Sequence, residues 1–377
     1  MTDIKEYVKR NKEQALNTLR ELCHIPAPSF GERRRAEYCK KWLESVGAKG
    51  VYIDEVNNCI FPMNCEGSNE LTVIAAHLDT VFPDTESYPE YHEDEEKIYC
   101  PGVGDDTAGV AILLLTAKYF IENEIVPEKG IIFVYNSCEE GLGNLVGMRA
   151  LMKEYGSRTK QFITFDGYLG ELYTVAVGSH RYEVEVKTEG GHSFMDFGNK
   201  NAICELSRII TDIYSIEIPK CPSAHTTYNV GMIEGGTSIN SIAQSAKMFC
   251  EYRSDDIECL AQMQQQFECI FNQAKARGID ITIRKIGDRP CKADVDKDIE
   301  NKLICAYKTA IKDIIGADAE ECQGSTDANL PMSQGIASTC MGVYSGEKLH
   351  TREEYLEKSS VVKGLEIGIK VALKITT

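Results

Sequence analysis

The sequence is short of positive charge. Across 377 residues it carries 41 Lys and Arg against 58 Asp and Glu, a formal charge of −17. No basic stripe offsets that field, which argues against nucleic acid and anionic membrane as partners and favours small cationic or metal-bound ligands. Long apolar runs are missing too: the longest, such as VAILLL at 110–115, fall far short of a bilayer span. The opening stretch MTDIKEYVKRNKEQALNTLREL is charged and amphipathic, without the apolar centre of a secretion signal, and no lipidation box is visible. Fifteen cysteines are present, yet no two form CxxC. An odd, scattered set without a secretory signal reads as reduced thiols in a cytoplasm, not as a disulfide framework. Neither an internal repeat nor a low-complexity segment occurs.

What is present suits a sizeable core: 43% hydrophobic and 26% charged residues, in a chain long enough for two domains or one with a large insertion. Residues 4–46 read as two helices around the loop HIPAPSFGE. VYIDEV and LTVIAAH follow as strands, the second apolar enough to be buried on both faces. A polar loop, 84–98, leads to PGVGDDTAGVAILLLTAKYFIEN, a loop and then a helix whose first turn carries Asp106 and Thr107. GIIFVYNS (130–137) and QFITFDG (161–167) are further strands, with the helix NLVGMRALMKEYG between them. This alternation predicts an α/β domain with a mostly parallel sheet.

Near residue 179 the texture changes. HRYEVEVKTEG alternates apolar with polar, as a half-exposed antiparallel strand does. The helix NAICELSRIITDIY follows, then strands around TTYNVGMIEGG and QSAKMFCEYRS, a helix from IECLAQ to KARG, and the strand DITIRKIG. After Arg289 the first texture returns, with a helix at 300–315, the strand IASTCMGVYSG and a last helix from about 354. The expectation is a catalytic α/β domain, residues 1–178 and 290–377, interrupted by an α+β insertion, residues 179–289.

The chemistry-bearing residues gather at strand ends. His77 and Asp79 follow LTVIAA, Glu139 and Glu140 follow IIFVYNSC, Asp166 follows FITF, and His350 comes a few residues after STCMGVY; Asp105 and Asp106 open a helix from a Gly-flanked loop. In an open parallel sheet, ligands bind beyond the carboxyl ends of the strands, so these groups would meet. Two histidines and several carboxylates in one crevice repel unless a cation is present, and mixed imidazole and carboxylate donors suit zinc or its neighbours better than calcium or magnesium. His77 and Asp79, two apart on a strand, share a face, so Asp79 can hold the far ring nitrogen of a metal-bound His77. Taken singly, each residue has a plainer explanation: a chance His-x-Asp, a helix N-cap at Asp106, a solvated Glu pair. Together at one sheet edge those explanations are hard to sustain.

The motifs HLDT, GVGDDTAG, CEEGLG, FDG, GGHSF, SIN…EYR, GSTDAN and LHTREEY, in this order over nearly the whole chain, resemble the M20-type metallopeptidase and amidohydrolase family. That family includes aminopeptidase T (a tripeptidase), glutamate carboxypeptidase, aminoacylase-1 and the succinyl-diaminopimelate desuccinylases. The resemblance implies a dinuclear site, with Asp105 bridging two divalent ions of the zinc class (manganese or cobalt being the alternatives). His77 and Asp166 would complete one ion's ligands and Glu140 and His350 the other's. It further implies Asp79 as the partner of His77 and Glu139 as general base; which glutamate does which is settled by the resemblance, not by spacing. In the insertion, which the resemblance makes a lid and a route to a homodimer, His192 would donate to the tetrahedral oxyanion, and Asn240 and Arg253 would hold substrate. GSTDANLPMSQG resembles a Gly-rich substrate loop of the tripeptidase-like branch. Two positions depart from the pattern: Cys138 stands where many relatives carry aspartate, and Ala243 where they carry proline.

Other readings fare worse. GVGDD lacks the third glycine of a dinucleotide fingerprint, having Thr107 there, and does not follow a strand. Nothing marks Cys138 as an activated nucleophile, and His24, His92, His180 and His225 have no partner pattern. A noncatalytic binding relative would have lost Glu139 or the bridging ligand, and neither is lost. The expected activity is amide hydrolysis by metal-activated water with a glutamate base. The substrate would be a di- or tripeptide trimmed from one end or, alternatively, an N-acyl amino acid.

Overall fold

A strand covered on both faces must be apolar throughout, and all seven residues of Leu71–His77 are buried. The computed structural model describes residues 2–83, 91–222 and 224–376. The chain separates into two compact units, Met1–Ala176 with Ala293–Thr377, and Val177–Lys292.

Among the described residues the first unit is organised on an eight-stranded sheet. Its spatial order is Tyr52–Ile53, Cys59–Met63, Gly130–Asn136, Leu71–His77, Thr159–Phe165, Ala337–Met341, Glu171–Ala176 and Glu320–Gly324. The four central strands run parallel, so all four carboxyl ends lie along one edge. Side chains alternate across the sheet. Ile74 and Ala76 join a core with Leu19, Leu43, Ile112, Leu303 and Leu365 from five helices, Ile4–Cys23, Arg33–Ser45, Gly109–Glu122, Lys297–Ile315 and Lys358–Thr376. Val73 and Ala75 join the opposite core with Met148 and Leu151 of the helix Val146–Tyr155. Each fully buried aliphatic side chain contributes about 1.5–3 kcal/mol, so the strand ends stand on a rigid platform. Among the described residues no helix is long and apolar enough to cross a membrane.

The structure corrects several sequence expectations. VYIDEV yields only Tyr52–Ile53, because Asp54 turns the chain by accepting the N–H groups of Val56 and Asn58. Asp106 and Thr107 do not form the first turn of the next helix, which begins at Gly109. Nor does Asp106 cap it: its carboxylate turns toward the sheet and accepts the His77 N–H at 2.9 Å. The last helix starts at Lys358, because Tyr355–Glu357 pairs with the strand Lys97–Tyr99 instead. Of the polar loop 84–98, residues 84–90 lie outside the described residues, and the remainder carries the short strands His92–Glu93 and Lys97–Tyr99. Cys59–Met63, Glu171–Ala176 and Glu320–Gly324 are strands of five or six residues, too short to declare themselves by periodicity.

The second unit is an antiparallel sheet in the order Thr226–Gly235, Ser245–Ser254, Gly178–Lys187, Asp280–Arg289. Alternate residues Tyr182, Val184 and Val186, with Met248, Cys250 and Tyr252, meet Leu206, Ile209 and Ile213 of the helix Ala202–Tyr214 and Met263, Phe267 and Phe271 of the helix Ile257–Ala276. Asn201 and Asp256 cap these helices through their side chains, removing otherwise orphaned amides. A separate ribbon pairs Gly191–His192 with Ser241–Ile242.

Candidate metal centre

The parallel strands deliver their polar ends to one place. His77 closes its strand buried, with Nε2 3.0 Å from Asp105 Oδ1. Its Nδ1 lies 3.0 Å from the main-chain oxygen of Asp79 and 3.5 Å from Asp79 Oδ1. The ring is therefore steadied by both the backbone and the carboxylate of Asp79. That carboxylate also accepts the N–H of Glu139 (2.9 Å), the N–H of Glu140 (3.0 Å) and the hydroxyl of Ser29 (2.7 Å). Burial opposes its ionisation, but the bonds from His77, Ser29 and Glu139 hold it below the usual range. Asp79 thus orients the histidine and the glutamate pair at once.

Asp105 has one oxygen for each histidine: Oδ1 faces His77 and Oδ2 lies 2.9 Å from His350 Nε2. Against the penalty of burial, those two imidazoles keep it strongly acidic. His350 Nε2 is also 3.3 Å from Glu140 Oε1; contact with Asp105 and Glu140 pushes its own pKa up to about 10. Cys138 and His350 sit at φ 59° and 61°, the left-handed region. Such conformations cost non-glycine residues about 1–2 kcal/mol and persist where the surroundings dictate them.

Among the described residues, three groupings bring ligand atoms within 4.8 Å of one another: His77, Asp105 and Asp166; Asp105, Glu140 and His350; and His77, Glu139 and Glu140. The first two share Asp105. All five residues expected as ligands fall in those two, and Glu139 falls outside them. The charge is unbalanced. Burial and the charge of Asp105 push Glu140 up to about 7 and Asp166 well above the carboxylate range. Among the described residues, Glu140 Oε1 and Asp106 Oδ1 are buried without a hydrogen bond. Raised carboxyls and buried oxygens without a hydrogen bond fit a site built for divalent cations, and the imidazole and carboxylate donors fit zinc-class ions.

Cys138 is buried, and its amide and thiol both contact Glu32 Oε1, at 3.0 and 3.2 Å. Burial and Glu32 push the thiol up, away from nucleophilic use. A buried acid within GSTDAN was given no role in the sequence reading. Asp327 accepts the Asn136 side-chain N–H at 2.7 Å and is pushed up to about 7, by burial first and then by Glu139. Residues after it form the short helix Asn329–Ser333, not an open loop.

The three candidates in the second unit have a different setting. His192 is exposed; its Nδ1 accepts the N–H groups of Phe194 and Met195 at 3.3 and 3.4 Å. In the neutral ring that places the proton on Nε2 and leaves an N–H donor. Asn240 is exposed, with its side-chain oxygen on the Ser238 hydroxyl. Arg253 forks onto Glu251, with bonds of 2.9 and 3.2 Å. Of the histidines without a pattern, His180 is buried against the Tyr252 hydroxyl at 2.6 Å and is structural.

Comparison with known proteins bears on this arrangement. The family profile described as Peptidase family M20/M25/M40 matches residues 73–374. An N-acetyldiaminopimelate deacetylase from Bacillus pumilus is 23% identical over 288 residues, 72% of either chain. Two solved structures share the fold: aminopeptidase PepT from Bacillus cereus (TM-score 0.72, 22% identity, 97% of this chain and 99% of that one) and a tripeptidase from Staphylococcus aureus (0.76, 21%, 97% and 99%).

Proposed function

The chain belongs to peptidase family M20/M25/M40 and is a metallohydrolase of that family, and from that premise we propose that it cleaves the amide bond of small peptides as a dinuclear exopeptidase of di- or tripeptidase type. The observation that carries this reading is Asp105, whose two oxygens serve two separate ligand groupings. His77 and Asp166 would hold one ion, Glu140 and His350 the other, zinc being the ion that suits these donors. When bound, two such ions lower the pKa of water and polarise the amide carbonyl. Glu139, buried and held through its amide by Asp79, takes the proton of the attacking water and returns it to the leaving amine. His192 offers its Nε2 proton to the oxyanion, while Asn240 and Arg253 hold substrate, Arg253 exchanging Glu251 for a terminal carboxylate.

Homodimerisation through the second unit is part of the proposal. Phe194, Met195, Phe197 and Ile239 are exposed there, a concentration of apolar surface that suits a partner copy. Fifteen free thiols suit the reducing conditions of a cytoplasm. A second reading, removal of an acyl group from an amino acid, is favoured by the deacetylase relative. Product analysis by mass spectrometry separates the two. Metal-stripped protein is reloaded with zinc, manganese or cobalt and given dipeptides, tripeptides, blocked peptides and N-acyl amino acids, with Glu139→Gln as control. Cleavage of free peptides is the expected result; cleavage of N-acyl substrates alone would transfer the assignment to the amidase.

A further inference from the structure

The Asp105 side chain is held by two imidazoles, but both belong to the proposed ligand set and would turn to the ions once these bind. Something else has to fix the loop. Glu354, four residues after His350 and fully buried, does so. Its Oε2 accepts the Gly102 N–H at 2.7 Å, and its Oε1 accepts the N–H groups of Gly104 and Asp105 at 2.8 and 3.2 Å. The main chain beside it is tied to the same loop. Glu354 O accepts the Cys100 N–H at 3.1 Å, and Tyr355–Glu357 pairs with Lys97–Tyr99. The fit leaves no slack. A Cβ on Gly104 would stand 2.6 Å from Tyr344 Cε2 and 3.1 Å from Glu354 Oε1, so glycine is required for the amide to reach the carboxylate.

A buried carboxylate is costly unless its lone pairs are met, and three amides meet them. None of these contacts touches a ligand side chain, so binding an ion need not break them. We infer that Glu354 is a positioning residue of the metal centre, clamping the 102–105 main chain so that Asp105 presents one oxygen to each ion. The inference rests on the dinuclear reading above, with one segment supplying His350 as a ligand and Glu354 as the clamp.

The test is zinc binding to metal-stripped protein by competition with a chromophoric chelator, with folding followed by circular dichroism and steady-state kinetics run in parallel. Glu354→Gln keeps the shape but replaces one acceptor with a donor; Gly104→Ala pushes the loop off the carboxylate from the other side. Both variants are expected to bind zinc about 10–100-fold more weakly than wild type, the usual effect of losing an outer partner of a metal site. At saturating zinc, kcat should fall while KM stays within about twofold. A purely structural role would lower thermal stability without moving zinc affinity. Wild-type affinity in folded Glu354→Gln overturns the inference and leaves the dinuclear reading intact. If Glu354→Gln does not fold, wild-type affinity in Gly104→Ala overturns it equally. Wild-type protein that takes up none of zinc, manganese and cobalt removes both.

Discussion

Most of the candidate site residues of the two units lie in opposite surroundings, His350 being the exposed member of the first set. In the first, Asp79, Glu139, Glu140, Asp106 and Asp327 are buried at the edge of a parallel sheet, and Asp79 alone accepts three strong hydrogen bonds. In the second, His192 and Asn240 are exposed and answered by their own loop and its neighbours. Buried carboxylates forced close together store an electrostatic cost that a cation relieves, so the first unit is organised to hold charge. Exposed groups keep their hydration and surrender it only to a ligand, which is the setting the proposed roles of His192 and Asn240 require.

The comparison can be broken or sharpened by substitution. The largest effect is expected from His77→Ala, which removes a proposed ligand and a partner of Asp79 together: activity should vanish and bound metal should fall, as read by elemental analysis. Glu139→Gln should retain the metal yet lose about 10²–10⁴-fold in kcat; turnover at the wild-type rate would remove Glu139 from the role of base. His192→Ala should cost about 10²–10³-fold in kcat with metal content untouched, separating the two units' contributions in one steady-state assay.

The smallest effect is in pH dependence. Their surroundings push Glu140 up to about 7 and His350 up to about 10, and Asp166 and His77 are also raised. Between about pH 5 and 8 the folded state therefore binds more protons at these positions than the unfolded state, and its stability from them is lost as pH rises. Ion binding needs the same groups deprotonated, so zinc affinity should rise over that range and binding should release protons. The gap in Tm between loaded and stripped protein should widen from pH 5 to 8, and a gap that narrows would contradict the assignment.

How much of this was legible in the sequence depends on where each partner lies along the chain. The central strands were legible because burial on both faces forces continuous apolar runs, and the polar groups at their ends stood out against them. The strands of the second unit were legible as alternation. Asp106 was misread because an aspartate before a helix is a good cap locally, whereas its actual partner, the His77 amide, is 29 residues away. Glu354 sat inside a recognised motif without a role, since the amides it accepts are about 250 residues distant. Asp327 was hidden in a segment read as a loop. Local pattern carries local structure; contacts that close a site over such distances require the fold.

The central claim is that Asp105 joins two ion sites into one. Its most direct test is the number of zinc ions per chain after equilibration with excess zinc and removal of the unbound ion, in wild type and in Asp105→Ala. Two ions in the wild type, with fewer than one in the variant, is the predicted result, because both ligand groupings lose their shared member. A variant that retains both ions at wild-type affinity would contradict it.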